Sequence, residues 1–80
     1  MALIGSFEQV TAERDGIHDA VDCGWRSFRV GAEVILQLDT YGRQGRMMEG
    51  KVSQTIQLDM VAAAELLKLI QLTFPGLRHD

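Results

Sequence analysis

The chain is poor in the residues that staple or interrupt a small fold. It has a single cysteine, Cys23, a single proline, Pro75, and only five aromatic residues. With one thiol there is no internal disulfide, so the disulfide-dense scaffolds by which many small secreted domains compensate for a thin core are excluded. Long apolar runs are also missing. The most hydrophobic segment, Met60 to Phe74, is broken by Glu65, Lys68 and Gln71, short of the roughly 20 apolar residues a membrane span requires. The start, Met1-Ala2-Leu3-Ile4-Gly5, has no basic residue ahead of its apolar pair and is cut off by Ser6, Glu8 and Gln9, unlike a secretory leader. The expectation is a soluble, cytoplasmic protein without membrane association. Internal repeats and low-complexity segments are absent.

What is present is an ordinary globular composition, 46% apolar and 24% charged, over 80 residues. That length allows one domain, 1–80, and a chain this small buries only about 60% of its unfolded surface. A partner chain is the expected remedy where neither disulfide nor metal supplies one.

The strongest local signal is C-terminal. Asp59 is a good N-cap, and Met60-Val61-Ala62-Ala63-Ala64-Glu65-Leu66-Leu67-Lys68-Leu69-Ile70-Gln71-Leu72 is rich in helix formers. The spacing predicts a helix over 60–73, with Met60, Ala63, Leu67, Ile70 and Phe74 as its core stripe. Leu66, Leu69 and Leu72 widen the apolar arc beyond what one small sheet needs, so Leu66, Leu69, Ile70 and Leu72 are the expected contacts of a homodimer. Pro75-Gly76 should end the helix, proline by its missing donor and glycine by a left-handed turn, leaving 75–80 as a tail.

Upstream the period changes from 3.6 to 2. In Glu33 to Tyr41, Val34, Leu36 and Leu38 alternate with Glu33, Gln37 and Asp39, Ile35 being the exception; Lys51 to Leu58 alternates through Val52, Ile56 and Leu58. Both read as half-buried strands paired antiparallel. Ser27 to Val30 is a further strand, turning at Gly31-Ala32, and the three glycines of 42–50 mark a long hairpin loop. Residues 1–22 are either an acidic arm or an edge hairpin, with Ser6 to Glu13 and Ile17 to Cys23 as its arms around Asp15-Gly16. The resulting class is α+β: an antiparallel meander of four or five strands with one C-terminal helix packed on the sheet.

Charge is segregated. Residues 1–22 set Glu8, Glu13, Asp15, Asp19 and Asp22 against Arg14 alone, while 23–58 set Arg26, Arg29, Arg43, Arg46 and Lys51 against Glu33, Asp39 and Glu49. Arg43, Arg46 and Lys51 flank the glycine loop beside Tyr41, and Arg29 and Trp25 should point the same way on their strand. Guanidinium groups next to aromatic rings suit phosphates and unstacked bases, which makes Arg43, Arg46, Lys51, Arg29, Tyr41 and Trp25 the candidate nucleic-acid-binding set. Ordinary solvated loop charges explain the same residues, and the sequence pI near 5.2 is far from that of a typical duplex-gripping protein.

A strand, a strand ending in Tyr41, a basic glycine-rich loop, a strand ending in Ile56-Gln57-Leu58-Asp59 and an apolar helix form an order that resembles the single-stranded DNA-binding domain of the transcriptional coactivator PC4 family. The resemblance covers about Phe28 to Gln71, including Val34-Ile35-Leu36 and the Lys51 strand. It implies a curved sheet that binds single-stranded nucleic acid and a helix that supports dimerisation. The acidic N-terminal arm departs from the basic tail of that family.

Other chemistry is thin. His18, Asp19, Asp22 and Cys23 cluster, but two histidines and one cysteine in the whole chain fall short of the paired ligands of a zinc site, and no metal or other cofactor is expected. Cys23 with His18 as base lacks a recognisable orienting group or oxyanion hole, so an inert, at least half-buried thiol is expected. Gly42, Gly45 and Gly50 lack the Gly-Lys-Ser/Thr ending of a phosphate loop, Met47-Met48 suits a core cap or a partner contact, and His79 lies in the tail. The expectation is a non-enzymatic binding module, binding single-stranded nucleic acid or, alternatively, acting as a homodimeric protein-interaction or inhibitor module through its helix and acidic arm.

Overall fold

In the computed structural model, residues 1–42 and 51–77 are described. The elements are β1 (Ala2–Leu3), β2 (Cys23–Val30), β3 (Glu33–Tyr41), β4 (Val52–Leu58) and α1 (Met60–Thr73). Together they form the α+β arrangement expected, a four-stranded sheet with one C-terminal helix on it.

The sheet order is β1-β4-β3-β2. β2, β3 and β4 are an antiparallel meander, but β1 joins β4 in parallel, with Ala2 opposite Ile56 and Leu3 opposite Gln57. The sheet is therefore mixed rather than wholly antiparallel. Residues between β1 and β2 form no strand, so the edge hairpin considered for 1–22 is not formed; the one strand pairing of this arm uses Ala2 and Leu3. The arm is anchored at both ends, by the Ile4 N–H donating to the Gln57 carbonyl (2.9 Å) and the Tyr41 N–H donating to the Asp22 carbonyl (3.1 Å).

β2 and β3 turn through Gly31-Ala32 with no residue to spare, Val30 being opposite Glu33. Gly31 has φ of 61°. A positive φ at the first central position is what a type II′ hairpin turn demands, and glycine meets it without a steric cost. At the other end of the meander Asp59 links β4 to α1 directly. Its carboxylate accepts from the Ala62 N–H and its carbonyl from the Ala63 N–H, both at 2.9 Å, so one of the helix's orphan donors is capped and its first intrahelical bond is made as the chain leaves the sheet. The helix ends at Phe74, whose N–H still reaches the Ile70 carbonyl at 2.9 Å. Gly76 does not adopt the left-handed turn; among the described residues only Gly31 has a positive φ. Pro75 is enough to stop the helix, because it disfavours helical backbone at the residue before it.

The core is small. Leu58 is 3% exposed, and among the described residues only Ile35 and Ala62 join it as buried apolar residues. On α1 the sheet-facing stripe is Ala62, Ala63, Leu66 and Ile70, rotated from the expected Met60, Ala63, Leu67, Ile70 and Phe74. Met60, Leu67 and Phe74 are exposed. The short connection through Asp59 fixes the helix's rotation, and the two alanines allow its first turns to approach the sheet. The chain exposes 7549 Å², against about 4,800 Å² for a compact monomer of this mass. Its radius of gyration is 14.7 Å, against about 12 Å expected of 80 residues.

Candidate functional site: the two faces of the sheet

Strand alternation sorts the meander into two faces. Trp25, Ser27 and Arg29 of β2 stand opposite Leu38, Leu36 and Val34 of β3, which in turn bring Ile56 and Leu58 of β4 to the same side. This is the apolar face. The helix start meets it beside Leu36 and Leu58, leaving an apolar cavity of about 500 Å³ lined by Ser27, Val34, Leu36, Leu58, Val61 and Ala63 among others. Away from the helix the face is open. Trp25 is 72% exposed, and Val34 and Ile56 are also exposed.

The other face carries Arg26 and Phe28 of β2, Ile35, Gln37 and Asp39 of β3, and Thr55 and Gln57 of β4. Its centre is a hydrogen-bonded ladder. Gln57 Nε2 donates to Gln37 Oε1 (2.9 Å), Gln37 Nε2 donates to Asp39 Oδ1 (3.2 Å) and Oδ2 (3.3 Å), and Thr55 Oγ1 donates to Asp39 Oδ1 (2.6 Å). Two of these bonds cross from β4 to β3 and two link Gln37 to Asp39 within β3, and they satisfy Gln37 and Thr55, both only 8% exposed. Met1, Ala2 and Leu3 share a cavity of about 270 Å³ with Gln37, Thr55 and Gln57 at one end of the ladder. Next to it the Arg26 guanidinium lies over the Phe28 ring, 5.2 Å from its centroid.

This arrangement reverses one expectation for β3. Val34, Leu36 and Leu38 do share a face, but Ile35 and Gln37 are the buried residues and Val34 is exposed. The reason is coverage. β3 is central and its polar side chains are satisfied by neighbours, whereas among the described residues the apolar side has the start of the helix against it beside Leu36 and Leu58.

The six residues expected to bind nucleic acid do not gather at one place. Trp25 and Arg29 are exposed on the apolar face. Tyr41 follows Gln37 and Asp39 in the alternation, beside an irregularity at Thr40/Tyr41, and is half-buried on the other face. Lys51 is exposed just ahead of β4. Arg43 and Arg46 lie outside the described residues, as do Met47, Met48 and His79. Of the expected dimer contacts, Leu66 and Ile70 are half-buried on the sheet-facing stripe, while Leu69 and Leu72 are exposed. Cys23 is exposed rather than half-buried, because it opens the outermost strand; its thiol contacts the Gly24 carbonyl at 3.6 Å. Among the described residues no group of three or more His, Cys, Asp or Glu side chains is placed to hold a metal ion, and no helix is long and apolar enough to cross a membrane.

Sequence reasoning missed the ladder and the Arg26–Phe28 pair. The signal was available as polar residues at every second position in both strands, Gln37 and Asp39 against Thr55 and Gln57. Comparison with protein-family models, curated proteins and solved structures returns no match.

Proposed function

We propose that the chain is a small non-enzymatic binding module that acts in the cytoplasm as a homodimer and completes its core against a second protein surface. The observation that carries this reading is the open apolar face with its exposed Trp25, Val34 and Ile56, continued by Leu69 and Leu72 on the helix. The exposed surface is about 1.6 times that of a compact monomer of equal mass, more than enough to give up to a partner. The acidic arm adds a charged rim suited to a basic protein surface. Light scattering at high micromolar concentration should return a dimer; a monomer there overturns the reading. Leu69→Glu, at an exposed position of the helix, should weaken association.

A second reading has its own support. Trp25 and Arg29 share a face and are both open to solvent, a ring and a guanidinium suited to an unstacked base and a phosphate, in keeping with the PC4 resemblance. Under this reading a labelled oligonucleotide binds with an affinity that falls steeply as salt rises, and Arg43→Ala with Arg46→Ala abolishes binding. No binding at about 50 mM salt removes it.

A further inference from the structure

β2 is an outer strand of eight residues, Cys23 to Val30, paired with β3 without a bulge along its whole length. The direction of its backbone groups follows from one hydrogen bond. Tyr41 donates to the carbonyl of Asp22 directly opposite, and in an antiparallel pair such bonded positions recur every second residue. Gly24, Arg26, Phe28 and Val30 therefore bond inward to β3. Cys23, Trp25, Ser27 and Arg29 turn their N–H and C=O groups outward, and among the described residues no backbone hydrogen bond reaches them. The opposite edge of the sheet is closed in part by β1. β2 has no proline or bulge to blunt it, two of the devices by which solitary sheets protect such an edge, and its charges are those of Arg26 and Arg29.

We propose that the outer edge of β2 pairs antiparallel with β2 of a second copy, joining the two sheets across a two-fold axis at Ser27. This rests on the homodimer reading above and specifies its seam. The register follows from symmetry and charge. A two-fold axis perpendicular to the sheet keeps each residue on its own face, so the axis must pass through a residue and not between two. An axis at Arg26 sets Arg26 against its own copy, like charges directly opposed. An axis at Phe28 shortens the overlap and leaves Trp25 beyond the strand end. With the axis at Ser27, Trp25 lies opposite the partner's Arg29, and Arg26 opposite the partner's Phe28. Each arginine then meets an aromatic ring across the seam, extending the Arg26–Phe28 contact already present within one chain.

The same register gives the apolar cavity an occupant. Ser27 and Val34 line its rim, and Val34 is opposite Arg29. The partner's Trp25, standing beside Arg29 on that face, enters at this rim. The surface excess supplies ample area: a standard interface needs roughly 800 Å² from each partner, and the chain exposes far more than that beyond a compact monomer.

Three cysteine variants in a Cys23→Ser background read the register, because only the residue on the axis faces its own copy within disulfide reach. Under mild oxidation Ser27→Cys should give a reducible covalent dimer, and Arg26→Cys and Phe28→Cys should give little. Ser27→Pro removes an outward donor without touching a β2–β3 bond, so it should sediment as a monomer while keeping the wild-type far-ultraviolet circular dichroism. Crosslinking at 26 or 28 in place of 27 overturns the register. No crosslink at any of the three, with Ser27→Pro still a dimer, overturns the seam and leaves the homodimer standing. A monomeric wild-type chain overturns both.

Discussion

The two faces of the sheet invert the usual relation between polarity and exposure, and the inversion locates where the fold is finished. On one face Gln37 and Thr55 are buried; on the other Trp25, Val34 and Ile56 meet water. On the polar side the buried groups are satisfied by one another, within β3 and between β3 and β4. Among the described residues the apolar side is closed where the start of the helix meets Leu36 and Leu58. A hydrogen-bonded ladder can be completed within one chain, whereas apolar burial needs a second layer, and a single helix of Met60–Thr73 supplies that layer over part of the sheet alone.

The comparison breaks first at Leu58. Leu58→Ala should cost about 2–5 kcal/mol, enough to unfold a domain of this size, and urea denaturation followed by circular dichroism would measure it. A smaller loss would mean that the helix contributes less to the closed corner than its burial implies. Next comes the ladder. Asp39→Ala strands both the Thr55 hydroxyl and the Gln37 amide, with a cost of about 1–3 kcal/mol from the groups left unpaired. A thermal midpoint unchanged from wild type would show that the polar face is not held by these bonds. The smallest stability effect is expected on the open face: Trp25→Ala should change the intrinsic stability of the isolated protomer by no more than about 0.5 kcal/mol, as for an exposed position, while reducing self-association measured by sedimentation. Equal losses from Trp25→Ala and Leu58→Ala at high dilution would erase the distinction between the faces.

Much of this architecture is legible in the sequence where local physics decides. The helix bounds, 60–73, follow from Asp59 ahead of a run of helix formers and Pro75 behind it. The 33–41 strand and the Gly31-Ala32 turn follow from alternation ended by the one residue type that tolerates φ of 61°. β1 left no readable trace, since two residues carry no period and its pairing depends on β4. β2 extends farther than its Ser27 to Val30 segment suggests, because Gly24 hides its first half and both of its faces mix polar and apolar residues. The buried side of β3 was misread for a related reason. Alternation reveals that two faces exist, and which one is covered is settled by the elements placed against them.

The site was less legible than the fold. Trp25 and Arg29 were correctly placed on one side of β2, but Tyr41 belongs to the other face, a separation fixed by strand parity across three strands rather than by nearness in sequence. The ladder also needs register, since Gln37 meets Gln57 and Asp39 meets Thr55 only once β3 and β4 are aligned.

The two-residue strand β1 sets an order of assembly. The β2–β3 hairpin closes over two residues, whereas β1 bridges Ala2 to Ile56 and Leu3 to Gln57, a ring spanning most of the chain whose closure entropy is offset by very few hydrogen bonds. The hairpin is thus placed to form early and the parallel pairing to form last and open first. Amide protons at Gln57 and Ile4 should exchange with solvent sooner than those bonded between β2 and β3, so the beginning of the chain acts as a latch that registers whether the rest has already folded.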